Sequence, residues 1–154
     1  MTLDSDRSQV YAAEEAAFGG TLLEEVTPFE HLERLATRTM ALAWWSGPVV
    51  PVVAARSDAG SSCARSGPDG VEIRLARPQW TPATLTHELA HVLAGLDVGH
   101  GPNFRRAHID IVASALGHEA GCWLRDAYVA CGLSVPPAER IVEPAAPTDG
   151  PIAL

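Results

Sequence analysis

The sequence predicts an α+β domain in which a small antiparallel sheet packs against flanking helices. Three observations predict it. Apolar residues recur at helical spacing before residue 42 and again after residue 82, whereas β-branched residues and strict alternation occupy the stretch between them. Two Thr-Pro pairs, Thr27-Pro28 and Thr81-Pro82, place a capping side chain and a helix-starting proline at element boundaries. Gly19-Gly20, Gly95 and Gly117 stand where helical patterns stop.

The elements follow in order. Residues 6–18 form an expected helix with Val10, Ala13, Ala17 and Phe18 on one side. Thr27-Pro28-Phe29-Glu30 reads as a capping box, so a second helix should run from Pro28 to about Leu42. Val49–Arg56 is an expected strand, and Pro48 and Pro51 argue for a sheet edge. Ser57–Ser61 reads as a turn, Ser62–Arg65 as a short strand, and Ser66-Gly67-Pro68-Asp69-Gly70 as a second turn. Val71–Ala76 alternates apolar and charged residues, the mark of a half-buried strand. Three helices should follow: Pro82 to about Ala94, Pro102 to about Leu116, and His118 to about Cys131. The 154 residues suit one domain, expected over 1–133, with a Pro/Ala-rich disordered tail over 134–154.

Composition narrows the function. The net charge is −8, and all eleven basic residues are arginines scattered along the chain. Nucleic-acid and acidic-membrane binding need clustered positive charge, so neither partner is expected. Residues 1–9 lack an apolar core, so no secretory signal is expected. The apolar stretch 40–55 is interrupted by Pro48 and Pro51 and does not read as a membrane span. Cys63, Cys122 and Cys131 form no C-x-x-C pair, which suits reduced thiols in a cytoplasmic protein.

The expected Pro82 helix carries His87-Glu88-Leu89-Ala90-His91, an H-E-x-x-H motif. Four helical residues rotate through about 400°, which leaves the histidines about 40° apart and roughly 6 Å along the axis. Both imidazoles can therefore reach one metal ion. Glu88 projects beside that ion, where it can remove a proton from metal-bound water and return it to a leaving group. Leu85, Leu89, Val92 and Leu96 fall on the opposite side of the wheel. With six histidines in 154 residues the motif is expected about 0.016 times by chance, so it is specific.

A catalytic zinc site usually takes three protein ligands and keeps a fourth position open. Three residues are candidates for the third: His100 just before the Pro102 helix, Asp97 ten residues after His87, and Glu119 at the start of the last helix.

H-E-x-x-H followed by His100-Gly101-Pro102-Asn103-Phe104 resembles the SprT-like zinc metallopeptidases. The stretch from Thr84 to Phe104 is also similar to a small family of actinobacterial metallohydrolases related to them, a source that would suit the lysine-free composition. The resemblance covers about 20 residues. It implies a zincin-like fold, zinc held by His87, His91 and His100, and Glu88 as general base. It further implies that Gly101 and Pro102 turn the chain and that Phe104 anchors the following helix. The zinc ribbon and basic surface of DNA-repair relatives are missing here, which removes the DNA-linked role from the expectation.

The expected function is a zinc-dependent hydrolase, a metallopeptidase acting on a peptide, protein or small amide. The alternatives are a non-catalytic binding module closed around zinc, and a metal-dependent hydrolase of small amides or esters. Val71–Ala76 is weighed as the strand that pairs with an extended substrate against an ordinary packed strand. Trp44 and Trp45 read as core or shielding residues, His31 as a surface residue, and His108 as either core or a partner of the metal ligands. Tyr128, Arg105 and Arg106 are weighed as oxyanion stabilisers.

Overall fold

The computed structural model describes residues 4–138. Its helices are α1 (Arg7–Phe18), α2 (Phe29–Met40), α3 (Pro82–Ala94), α4 (Pro102–Ala115) and α5 (His118–Ala130). Its strands are β1 (Val52–Ala54), β2 (Cys63–Gly67) and β3 (Gly70–Leu75). Short 3₁₀ turns at Leu22–Glu24 and Arg77–Gln79 complete the order. The fold is α+β, as the sequence predicts. The residues expected to form a tail lie outside the described residues from 139 onward, while Ser134 and Pro136 are held by hydrogen bonds from Arg105 and Arg106.

The sheet is mixed rather than antiparallel. Its order is β1-β3-β2: β1 runs parallel to β3, and β2 pairs antiparallel with β3 from Cys63↔Arg74 to Gly67↔Gly70. The expected turn is present at Ser57-Asp58, with Ala59 N–H donating to the Arg56 carbonyl at 2.9 Å, but it does not make β1 and β2 a hairpin: the chain crosses to the far edge of the sheet and returns through the Gly67–Gly70 turn. The prolines placed β1 correctly at an edge. They also shorten it, because Val49 is exposed and pairing begins only at Val52.

Helix starts follow the chemistry of their caps unequally. At α3, Thr81 Oγ1 accepts from Thr84 N–H at 3.1 Å and Pro82 opens the helix. At α2 the expected capping box does not form: Pro28 is the cap residue, and Thr27 Oγ1 has no hydrogen-bond partner.

α3 is the central helix. It packs on α4 and on β2 and β3, and Leu85 and Leu89 on its inner face are fully buried with Ile73 and Leu75 of β3. On the outer sheet face Glu72 pairs with Arg74 at 2.7 Å and Arg65 at 3.0 Å. Leu96, expected on the apolar stripe, lies past the helix end and is 37 % exposed. α1 and α4 both pack on α5. α4 and α5 approach closely at Gly121, where an added Cβ would stand 2.8 Å from Ala113 Cβ. Gly121→Ala is expected to destabilise the fold by about 1–3 kcal/mol through this overlap, read as a lower midpoint in denaturant unfolding.

Candidate metal centre

The wheel of α3 delivers His87 and His91 to one side of the helix, and the turn after Gly95 returns the chain so that His100 meets them. His87 Nε2 lies 3.2 Å from His91 Nε2 and 3.2 Å from His100 Nε2. A tetrahedral zinc with bonds of about 2.0–2.1 Å spaces its ligand nitrogens about 3.3–3.4 Å apart, so the donor set fits such an ion. The other ring nitrogens of two of them are engaged. His87 Nδ1 is 2.6 Å from Glu14 Oε1, and His100 Nδ1 meets Asp4 Oδ2. A neutral imidazole with its proton on Nδ1 has only a lone pair on Nε2. In their neutral forms, with Nδ1–H given to a carboxylate, His87 and His100 both present the Nε2 lone pair to the cluster, where a cation can be held.

The three histidines could hold a metal ion, and imidazole donors alone do not select which one. Asp97 and Glu119, the other two candidates for a third ligand, are both exposed and outside this group. Among the described residues no fourth donor joins the trio.

The electrostatics follow from burial. Burial, aided by the neighbouring imidazoles, pushes His91 down to about 3. His100 is also lowered by burial, against the opposing pull of Asp4. For His87 burial disfavours the charged form, but the Glu14 carboxylate outweighs it and the group is raised. Glu88 is 6 % exposed, and burial raises it above the usual carboxylate range despite the adjacent His87 and a hydrogen bond from Ala64 N–H. A desolvated carboxylate is a stronger proton acceptor than one in water.

Phe104 floors the site. It is fully buried, and its ring lies 4.5–5.0 Å, centroid to centroid, from those of His91, His100 and His87. Tyr11 of α1 covers the other side, stacked on His87 at 5.5 Å and 8°. Above the histidines a cleft of about 220 Å³ is lined by Arg7, Tyr11, Ser62, Cys63, Ala64 and Glu88 among others. It shares Arg7, Tyr11, Ser62, His87 and Glu88 with an adjoining recess of about 510 Å³. The two adjoin between α1 and α3, and β2 contributes only Cys63 and Ala64 to their lining.

Several expectations are corrected here. β3, which contains most of Val71–Ala76, is the middle strand with partners on both sides, so it has no free edge for a substrate. The free edge beside the site belongs to β2, whose Ala64 N–H points away from β3 to Glu88. Arg105 is buried and holds Asp6 at 2.7 Å and the His100 carbonyl at 2.9 Å, and Arg106 pairs with Asp110 at 2.6 Å. Neither lines the cleft, and nor does Tyr128; the tyrosine and arginine that do are Tyr11 and Arg7. His31 is exposed, and Trp44 and Trp45 are half-buried against the core, as expected.

His108 is both core and neighbour of the site. It is fully buried, its Nδ1 is 2.6 Å from Tyr128 Oη, and its Nε2 is 3.6 Å from Glu14 Oε1. Burial disfavours charge on both the imidazole and the phenol, so two neutral groups share this hydrogen bond. Tyr128→Phe leaves that nitrogen buried without a partner and is expected to cost about 1–3 kcal/mol of unfolding free energy, measurable by chemical denaturation.

Asp4, Glu14 and Tyr11 were absent from the sequence reading. Glu14 had a signal: it lies at i+4 from Val10 and i−4 from Phe18, both fully buried, so a carboxylate stands in the middle of an apolar stripe. Asp4, outside any periodic segment, had none. No family model, curated protein or solved structure matches this chain.

Proposed function

We propose that the protein is a metal-dependent hydrolase of zincin-like architecture whose substrate is a peptide held along the free edge of β2. The single observation that carries this is three Nε2 donors at ligand spacing with a buried carboxylate, Glu88, beside them on the wall of an open cleft. His87, His91 and His100 would hold the ion, and zinc suits the all-imidazole set. Such an ion, when bound, lowers the pKa of water and polarises a carbonyl.

The chain's own groups do the rest. Glu88, kept from solvent, takes a proton from the attacking water and hands it to the leaving amine. Ala64 N–H orients the Glu88 carboxylate. The free edge of β2 offers backbone groups to an extended chain, which suits a peptide better than a compact small molecule. An open cleft with a recess adjoining it, rather than a closed chamber, supports the same choice. A binding module closed around a structural ion would need a fourth protein donor, and the described residues bring none to the trio.

The test is elemental analysis of tag-free protein followed by a screen of quenched fluorescent peptides, with and without a chelator. About one zinc per chain and chelator-sensitive cleavage are expected. Stoichiometric metal with no cleavage across the screen would favour the binding module, and cleavage unaffected by complete metal removal would refute the mechanism.

A further inference from the structure

We propose that Glu14 and Asp4 are positioning residues of the three-histidine cluster: Glu14 fixes the tautomer and aim of His87, and Asp4 fixes those of His100. This rests on the metal-binding reading of the cluster and adds to it a requirement for the segment that begins at residue 4.

An imidazole presents one nitrogen to an ion, and the hydrogen bond made by the other decides which. His87 Nδ1–H donates to Glu14 at 2.6 Å, which leaves Nε2 as the lone-pair end at the cluster. His100 Nδ1–H donates to Asp4, whose carboxylate also accepts from the His100 backbone N–H at 3.3 Å. One carboxylate therefore grips both ring and backbone. Gly99 makes room for it: a Cβ there would stand 3.1 Å from the Asp4 carboxyl carbon.

Packing does not explain Glu14. Its side chain is 12 % exposed in a stripe otherwise filled by Val10, Ala13, Ala17 and Phe18, where an apolar residue would avoid the desolvation of a charge. His87 does explain it, since its Nδ1 stands 2.6 Å from Glu14 Oε1, whereas His108 Nε2, 3.6 Å from the same oxygen, makes no hydrogen bond to it. A second ion between Glu14, His87 and His108 is the competing account. The 2.6 Å separation of Glu14 Oε1 from His87 Nδ1 is that of a hydrogen bond, shorter than the about 3.3 Å between two ligands of one tetrahedral ion. A proton, not a metal, lies between them.

The experiment compares tag-free full-length wild type, Glu14→Gln, Asp4→Asn and the control Glu25→Gln, which removes the same charge from an exposed position. Zinc affinity is measured by competition with a chromophoric chelator, the ligand field by visible absorption of the cobalt(II) form, and ring tautomers by ¹H–¹⁵N correlation of the imidazoles. Glu14→Gln and Asp4→Asn are each expected to weaken zinc binding roughly 10- to 100-fold and to change the cobalt bands. Each should also shift the Nδ1–H resonance of its own histidine only, because a neutral amide oxygen accepts that proton more weakly than a carboxylate. Glu25→Gln should match wild type.

Affinities and cobalt bands equal to those of the control in both variants would overturn the proposal. Should Glu14→Gln fail to fold by circular dichroism, Asp4→Asn decides, because Asp4 is 31 % exposed and outside the core. A wild type that takes up no added metal would overturn the metal reading itself and the proposal with it, a result separate from intact wild-type binding with unaffected variants.

Discussion

Glu88→Gln is expected to lower peptide turnover about 10²- to 10⁴-fold while leaving metal uptake intact. Glutamine has nearly the same volume and can still accept the Ala64 N–H, so the wall of the cleft keeps its shape. What it loses is the capacity to take a proton. Glu88 is not one of the three converging donors, so the variant should contain as much metal as wild type. Initial rates on a peptide found by screening, with elemental analysis of both proteins, check the prediction. Turnover that survived the change would remove Glu88 from the mechanism, and metal loss would mean that it is a ligand.

His100→Ala is expected to abolish stable metal binding. Losing a ligand should exceed the roughly 10- to 100-fold that follows loss of a residue supporting a ligand. The change also leaves the Asp4 carboxylate without its ring partner and opens a space against Phe104. Asp97→Ala and Glu119→Ala, at exposed positions outside the cluster, should retain metal at the wild-type level. Elemental analysis of the three variants beside wild type decides the ligand set. Retention of zinc in His100→Ala together with loss in either of the others would reassign the third ligand.

The sequence made some of this legible and hid the rest, for reasons that can be located. α3 was legible almost whole, because Thr81 and Pro82 fix its start, Gly95 its end, and the i, i+4 spacing of His87 and His91 states which side carries the donors. Strand pairing was not legible. The alternation in Val71–Ala76 gives a buried face but is silent on neighbours, and only the path of residues 55–62 makes β3 central and β2 free. Caps were legible only where the side chain is used: Thr81 caps and Thr27 does not, although both precede a proline. The carboxylates behind the histidines come from residues 73 and 96 positions away in the chain, and no local pattern connects groups so distant. Phe104 was legible as an anchor but not as the floor of three imidazoles, since that depends on where the turn after α3 lands.

The packing of α1 on α5 has a consequence for how the chain comes together during synthesis. The first helix leaves the ribosome early, yet the surface it docks on is complete only once α5, which ends at Ala130, has been made. α3 and the His100 turn are made before that and close over a short stretch of chain, whereas bringing Asp4 and Glu14 home closes loops of 96 and 73 residues. Two of the three imidazoles therefore depend on long-range closure of the chain for their carboxylate partners. Before it, Val10, Ala13, Ala17 and Phe18 form an uncovered apolar stripe on the nascent chain.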